Sequence, residues 1–275
     1  MHSDRVILLI TIIFGLTISC VSTRPNSLLI QNKNSAEEAL RRGELQSAIS
    51  HVEIAASICG NSACVDELYR WMIELGIARN NDVFRAQGHK HLALFHIDMF
   101  IAGEEEHLFL AKEAGAEFLQ WAESLHNSRG DIFPFSDALL IGAKCYMFDR
   151  PDTSLNYVAS IFQLGLDFGD EPIPAHMREI IDDAKAIVNQ INRMMHERRG
   201  LARHAREEGD VDRYLSYMLY TYRASAALGE ARIAAEIALE LAEFFSAMGE
   251  SEIASQWASA AAMWKGEEIQ RKSND

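Results

Sequence analysis

Histidines gather on one stretch of the chain: His89, His91 and His96, followed by Asp98 and His107. On a helix, His89 and His96 stand seven residues apart and share a face. Imidazole nitrogens bind metals and move protons near neutral pH. With a carboxylate from another helix, these rings would suit a divalent metal or a helical enzyme. The helical zinc signature, two histidines four apart with a glutamate beside the first, is absent. His91, beside Leu92 and Phe95, is expected to face the core. No metal site is therefore expected. An enzyme would require His89, His96 and a carboxylate to converge in one pocket.

Arg193, Arg199, Arg203 and Arg206 recur at helical spacing, with His196 between the first two. Such a basic stripe suits an acidic partner or lipid headgroups. The competing expectation is a solvated face paired with acids such as Glu207 and Glu208. Tyr214, Tyr217, Tyr220 and Tyr222 follow. Half of them are expected in the core, and the rest would line a groove for a peptide or apolar ligand. Tyr217 and Tyr220 join the four arginines as candidate partner-binding residues. Glu104, Glu105 and Glu106 sit where a helix begins, which the helix dipole alone explains. No calcium loop, phosphate loop or nucleophile elbow occurs. No catalytic residue and no cofactor is expected.

The formal net charge of the 275 residues is -14, which disfavours phosphate backbones, so no nucleic-acid partner is expected. Alanine is abundant and only five prolines occur, so helix is favoured. Residues 6–18 read VILLITIIFGLTI. As a helix this run reaches about 20 Å, short of a bilayer core of roughly 30 Å. It has the size and flank of a signal-peptide core, here residues 1–19. Its end, Leu16-Thr17-Ile18-Ser19-Cys20, resembles the lipobox of bacterial lipoproteins, with Thr17 where that family usually has leucine. The resemblance implies that Cys20 carries a lipid, with residues 20–34 as a tether; ordinary signal-peptidase cleavage nearby, or a buried N-terminal helix, is the alternative. An exported chain allows a disulfide between Cys59 and Cys64 across Gly60-Asn61; two buried thiols are the alternative. Cys145 is expected in the core.

Behind these residues the pattern is helical. Gly209-Asp210, Gly229-Glu230 and Gly249-Glu250 recur every 20 residues and punctuate amphipathic segments. Each pair reads as a tight turn between antiparallel helices, glycine closing one and the acid opening the next. The spacing predicts helices near 45–58, 62–78, 82–102, 105–126, 136–148, 152–168, 175–208, 211–228, 231–247 and 251–266, with a short one opening at Ser35 and Glu38. The stretch 175–208 is expected to bend or break near Gly200. The best candidate joints are 126–135 and 169–174.

Gly43, Ala48 and Ala55 share their spacing with Gly249, Ala254 and Ala261. This resembles the second half of a tetratricopeptide repeat, where small residues let paired helices approach. Asp149, Ser154 and Ile161, preceded by Ile141, Gly142 and Cys145, fit the same frame. Gly209, Tyr214 and Thr221 keep the spacing with larger side chains, and Gly103, Leu108 and Gly115 keep it loosely. The last third departs from the family, because one helix pair takes 40 residues against the usual unit of about 34. The resemblance covers 36–58, 137–168 and 231–265 and implies an all-α fold, an α-solenoid of stacked antiparallel hairpins.

The expected organisation is one helical-repeat domain over 35–266 and a flexible tail over 267–275. The expected function is non-enzymatic: a protein-binding scaffold, lipid-anchored in the bacterial cell envelope, whose partner is another envelope protein or a peptide. The alternative is an accessory subunit of a tripartite periplasmic transporter or a carrier of apolar ligands, which would need an apolar channel.

Overall fold

A computed structural model describes residues 27–169 and 171–274, so the expected signal peptide and Cys20 lie outside the described residues. The described chain is all α, with eleven helices and no strand. The first, α1, covers 27–41. It is followed by α2 (Leu45–Ile58), α3 (Ser62–Ala78), α4 (Asp82–Ile101), α5 (His107–Arg129) and α6 (Ile132–Tyr146). Then come α7 (Pro151–Leu166), α8 (Ala175–Glu208), α9 (Val211–Ala227), α10 (Ala231–Ala247) and α11 (Ser251–Asn274). Among the described residues, no helix is long and apolar enough to cross a membrane.

The turns follow the glycine pattern. Gly43, Gly103, Gly209, Gly229 and Gly249 all hold positive φ, where a side chain would be strained. The next N–H closes the turn by reaching back five residues, as from Asp210 to Ala205 (2.9 Å) and from Glu250 to Phe245 (2.9 Å). Asp210 also accepts the Arg213 N–H at 3.1 Å, capping α9.

Three boundaries differ from expectation. Helix α1 is already formed at residue 27, upstream of the expected Ser35, and so absorbs residues expected in the tether. Leu29 joins Ala36, Ala39 and Leu40 on its core side, extending the apolar face upstream. Helix α8 runs unbroken through Gly200. It buries Met177, Ile180, Ala184, Ile187, Ile191, Met195, Ala202 and Ala205 along one stripe. Packing over that length outweighs the roughly 1 kcal/mol that a helical glycine costs. Helix α11 continues to Asn274 through the expected tail.

The chain divides into two compact units, the first ending at Phe118 and the second beginning at Leu119, inside α5 and not at either candidate joint. In the N-terminal unit α3 packs on α4, and α2 touches both. Its core joins Ala48 and Val52 of α2, Leu68 and Met72 of α3, and Phe84 of α4 to α1. The α3–α4 approach depends on glycine. A Cβ on Gly76 would stand 2.7 Å from the Arg85 backbone nitrogen, and one on Gly88 would stand 2.7 Å from Ile73 Cγ1. The Cys59 and Cys64 sulfurs are bonded across the α2–α3 turn, their Cα atoms 5.5 Å apart. The turn itself is set by Asn61, whose side chain accepts the Cys64 N–H at 2.9 Å.

In the C-terminal unit α6 packs on α7 and α8, α7 on α8 and α9, α8 on α9, α9 on α10, and α10 on α11. The small residues of the repeat-like frame are buried here. Ser154 Oγ donates to Ala143 O at 2.7 Å, drawing α7 onto α6, and Cys145 and Ala261 lie inside.

Candidate functional site

Three consecutive helices of the N-terminal unit each turn one face toward a shared groove of about 580 Å³. Helix α3 contributes Arg70, Ile73 and Glu74, at spacings of three and four. Helix α4 contributes His89, Leu92 and His96, and α5 contributes Leu110, Glu113, Ala114, Ala116 and Glu117. The floor is apolar where Leu92 and Ala114 are buried, and Glu74, Glu113 and Glu117 stand exposed at the rim.

His96 is the one histidine of the cluster that is fully enclosed, at 1 % exposure. Its Nδ1 lies 2.8 Å from Nδ1 of His107, and its Nε2 lies 3.3 Å from Asp66 Oδ1. The Nε2 geometry falls short of a hydrogen bond, so this contact is electrostatic. Asp66 is held from its other side by Arg70, with Nε 2.6 Å from Oδ2. His107 in turn places Nε2 2.9 Å from Glu104 Oε2 in the α4–α5 turn. A chain of polar side chains thus runs from Arg70 through Asp66, His96 and His107 to Glu104. One nitrogen of the His96–His107 contact must donate and the other accept. Two doubly protonated rings would put two N–H groups face to face at that distance.

Burial pushes the His96 pKa down to about 4; Asp66 opposes the shift, and the nearby His107 and Arg70 add to it. Burial likewise lowers His89, opposed by Glu117 and reinforced by Arg85. It lowers His91, opposed by Glu53 and reinforced by Lys90. Around neutral pH the His96 ring is therefore uncharged.

The structure brings His89 and His96 into one groove with glutamates, as an enzyme would have required. His91 turns elsewhere, stacked on Tyr69 at a centroid distance of 5.3 Å. Asp98 is exposed and does not line the groove. Among the described residues, no group of three or more His, Cys, Asp or Glu is arranged to hold a metal ion. Asp66, Arg70, Glu113 and Glu117 escaped the sequence reading. Leu110, Glu113, Ala114 and Glu117 do share a helical face, and that spacing was the available clue.

In the arginine stripe Arg193, Arg203 and Arg206 are exposed, and Arg193 and Arg199 are paired with acids. Arg199 reaches across to α10, 2.7 Å from Glu236 and 3.9 Å from Glu240. Arg193 pairs with Glu197 at 3.9 Å, and Arg206 lies over the Tyr214 ring at 5.8 Å. The acids that meet Arg193 and Arg199 are Glu197, Glu236 and Glu240. Tyr220 is corrected as a partner-binding candidate. It is buried, donates to Met147 O at 2.8 Å and is covered by Arg198, 3.9 Å from its ring centroid. Tyr214 is also core, whereas Tyr217 and Tyr222 are half-buried. Tyr222 accepts the Trp264 indole N–H at 3.2 Å.

No protein-family model, curated protein or solved structure matches the chain.

Proposed function

We propose that the chain is a non-enzymatic binding protein built of stacked helical hairpins, tethered in the bacterial cell envelope through a lipid on Cys20. The observation that carries the binding reading is the groove, to which α3, α4 and α5 each turn one face. Repeat stacking is supported by the C-terminal unit, where α6 and α7 each contact both the next helix and the one after it. It is also supported by the glycine turns and by buried small residues at the repeat-like positions, Ala48, Ala55, Ser154 and Ala261. The anchoring half rests on the Ser19-Cys20 pattern after an apolar run. A carboxylate rim is a poor fit for an apolar cargo, which sets the carrier alternative behind the scaffold.

A photo-crosslinking residue at the exposed Ala116, in full-length protein in its native cell, tests the binding half. One reproducible crosslinked partner is the expected result, and a groove that crosslinks to nothing overturns it. Cell fractionation with mass spectrometry of the N-terminus tests the anchor. The wild type is expected in membranes with an acylated Cys20, and Cys20→Ala is expected to leave them. A wild type that is unacylated ends that part of the proposal.

The meeting of His89, His96 and Glu117 in one groove favours a second reading, acid–base chemistry on a bound molecule. It ranks lower because both His96 nitrogens face Asp66 and His107, and no serine, cysteine or threonine lines the groove among the described residues. This reading expects His89→Ala to retain a captured molecule but stop its conversion; a captured molecule that the wild type leaves unchanged in mass removes it.

A further inference from the structure

We infer that the groove of the N-terminal unit receives a lysine or arginine side chain presented on a peptide segment of the partner, an inference that rests on the binding reading above. Its lining offers the two chemistries that such a side chain uses when it lies along the groove, apolar surface below and carboxylates at the rim. Ile73, Leu92 and Leu110 provide apolar surface for an aliphatic stem. Glu74, Glu113 and Glu117 provide carboxylates for the cationic head. The cation among the lining residues, Arg70, already spends its guanidinium on Asp66, through Nε at 2.6 Å and Nη2 at 3.4 Å. Lys33 acts on Glu74 electrostatically, and Arg70 feels Glu113, yet the carboxylates still outnumber these cations.

Other occupants fit less well. An acidic segment would meet three carboxylates, and a wholly apolar one would strip water from them without replacing their hydrogen bonds. A volume of about 580 Å³ is of the size that a long side chain and its flanking backbone fill. The net charge of -14 adds a long-range field that draws cations toward the chain.

The test uses fluorescence anisotropy of the full chain with two fluorescein-labelled peptides, alternating alanine with lysine and alanine with glutamate. It compares wild type with the triple variant Glu74→Gln/Glu113→Gln/Glu117→Gln. All three glutamates are exposed, so unchanged helicity and melting are expected and are checked by circular dichroism. The lysine peptide is expected to bind the wild type and to lose about tenfold in affinity with the variant, as three exposed ion pairs would give. The salt dependence should flatten, and the glutamate peptide should not bind. Equal binding of the lysine peptide to wild type and variant would place it elsewhere on the acidic surface and overturn the inference. So would its failure to bind at all. Spermidine binding through the same three glutamates, with no peptide binding, would replace the peptide by a small organic cation. A partner crosslinked at Ala116 whose capture survives the triple variant would remove this inference and leave the binding reading intact. No partner and no peptide binding would remove both.

Discussion

The two units differ in how their buried serine, threonine and histidine side chains are satisfied. In the C-terminal unit the buried hydroxyls of Ser136, Ser154, Thr221 and Ser225 each donate to a backbone carbonyl, at 2.7 to 3.0 Å. Those bonds end inside the protein and satisfy the helices they touch. In the N-terminal unit the buried polar residue is His96, and its partners are side chains that lead outward to Arg70 and Glu104. A hydroxyl closed on a buried backbone carbonyl supports the fold. An imidazole set between a carboxylate and a second imidazole, in the wall of a groove, can respond to protons and to ligands. The polar side-chain chain and the groove beside it lie in the N-terminal unit.

Packing sharpens the contrast most. At Gly76 an added methyl meets Arg85 backbone atoms at 2.7 to 2.8 Å, and backbone does not step aside. At Gly142 the neighbour is the edge of the Tyr157 ring at 3.1 Å, which can swing. Gly76→Ala is therefore expected to cost about 3 kcal/mol and Gly142→Ala about 1 kcal/mol. Hydrogen exchange would show α3 and α4 losing protection in the first variant. Equal costs from chemical denaturation would mean that the α3–α4 approach is not set by this glycine.

The next expected effect comes from pH. The ordinary histidine pKa is 6.5, and the folded value at His96 lies near 4. The neutral ring's contribution is complete above 6.5 and drains as pH falls toward 4, because the unfolded chain takes up the proton first. The groups facing the ring are Asp66, Arg70 and His107, with Glu104 behind His107. Between pH 6.5 and 5 the loss should be about 2 kcal/mol. The slope should flatten in His96→Gln, while α9 and α10 amides keep their protection. An unchanged slope in the variant would show that His96 does not carry the pH response.

Smaller effects are expected in the C-terminal unit. Ser154→Ala removes the 2.7 Å bond to Ala143 O and should lower stability by about 1 kcal/mol without disturbing the groove. Arg193→Ala removes an exposed pair 3.9 Å long and should change the melting free energy by less than about 0.5 kcal/mol. A larger loss at Arg193 would mean that the arginine face contributes more than a solvated pair.

Particular residues show why some of this was legible. Gly209, Gly229 and Gly249 were readable as turns because positive φ is a local demand that only glycine meets cheaply. Cys59 and Cys64 were readable as neighbours because five residues around one turn bring their ends together, although spacing alone left the thiol alternative open. The core status of half the tyrosines also followed from periodicity, but not which half. Tyr220 is inside because its hydroxyl reaches Met147, 73 residues away in sequence. His89 and His96 were recognisable as a pair, whereas Asp66, Glu113 and Glu117 arrive from other helices.

By itself, the sequence determined the helices, their left-handed glycine closures and an acidic surface, because backbone conformation and side-chain periodicity act within a few residues. It did not determine the continuity of α8 through Gly200, which depends on a buried stripe running the length of the helix. Nor did it determine the pairing of Arg199 with Glu236 or the enclosure of His96. Tertiary structure decided those, because desolvation and charge pairing act between elements that only packing brings together.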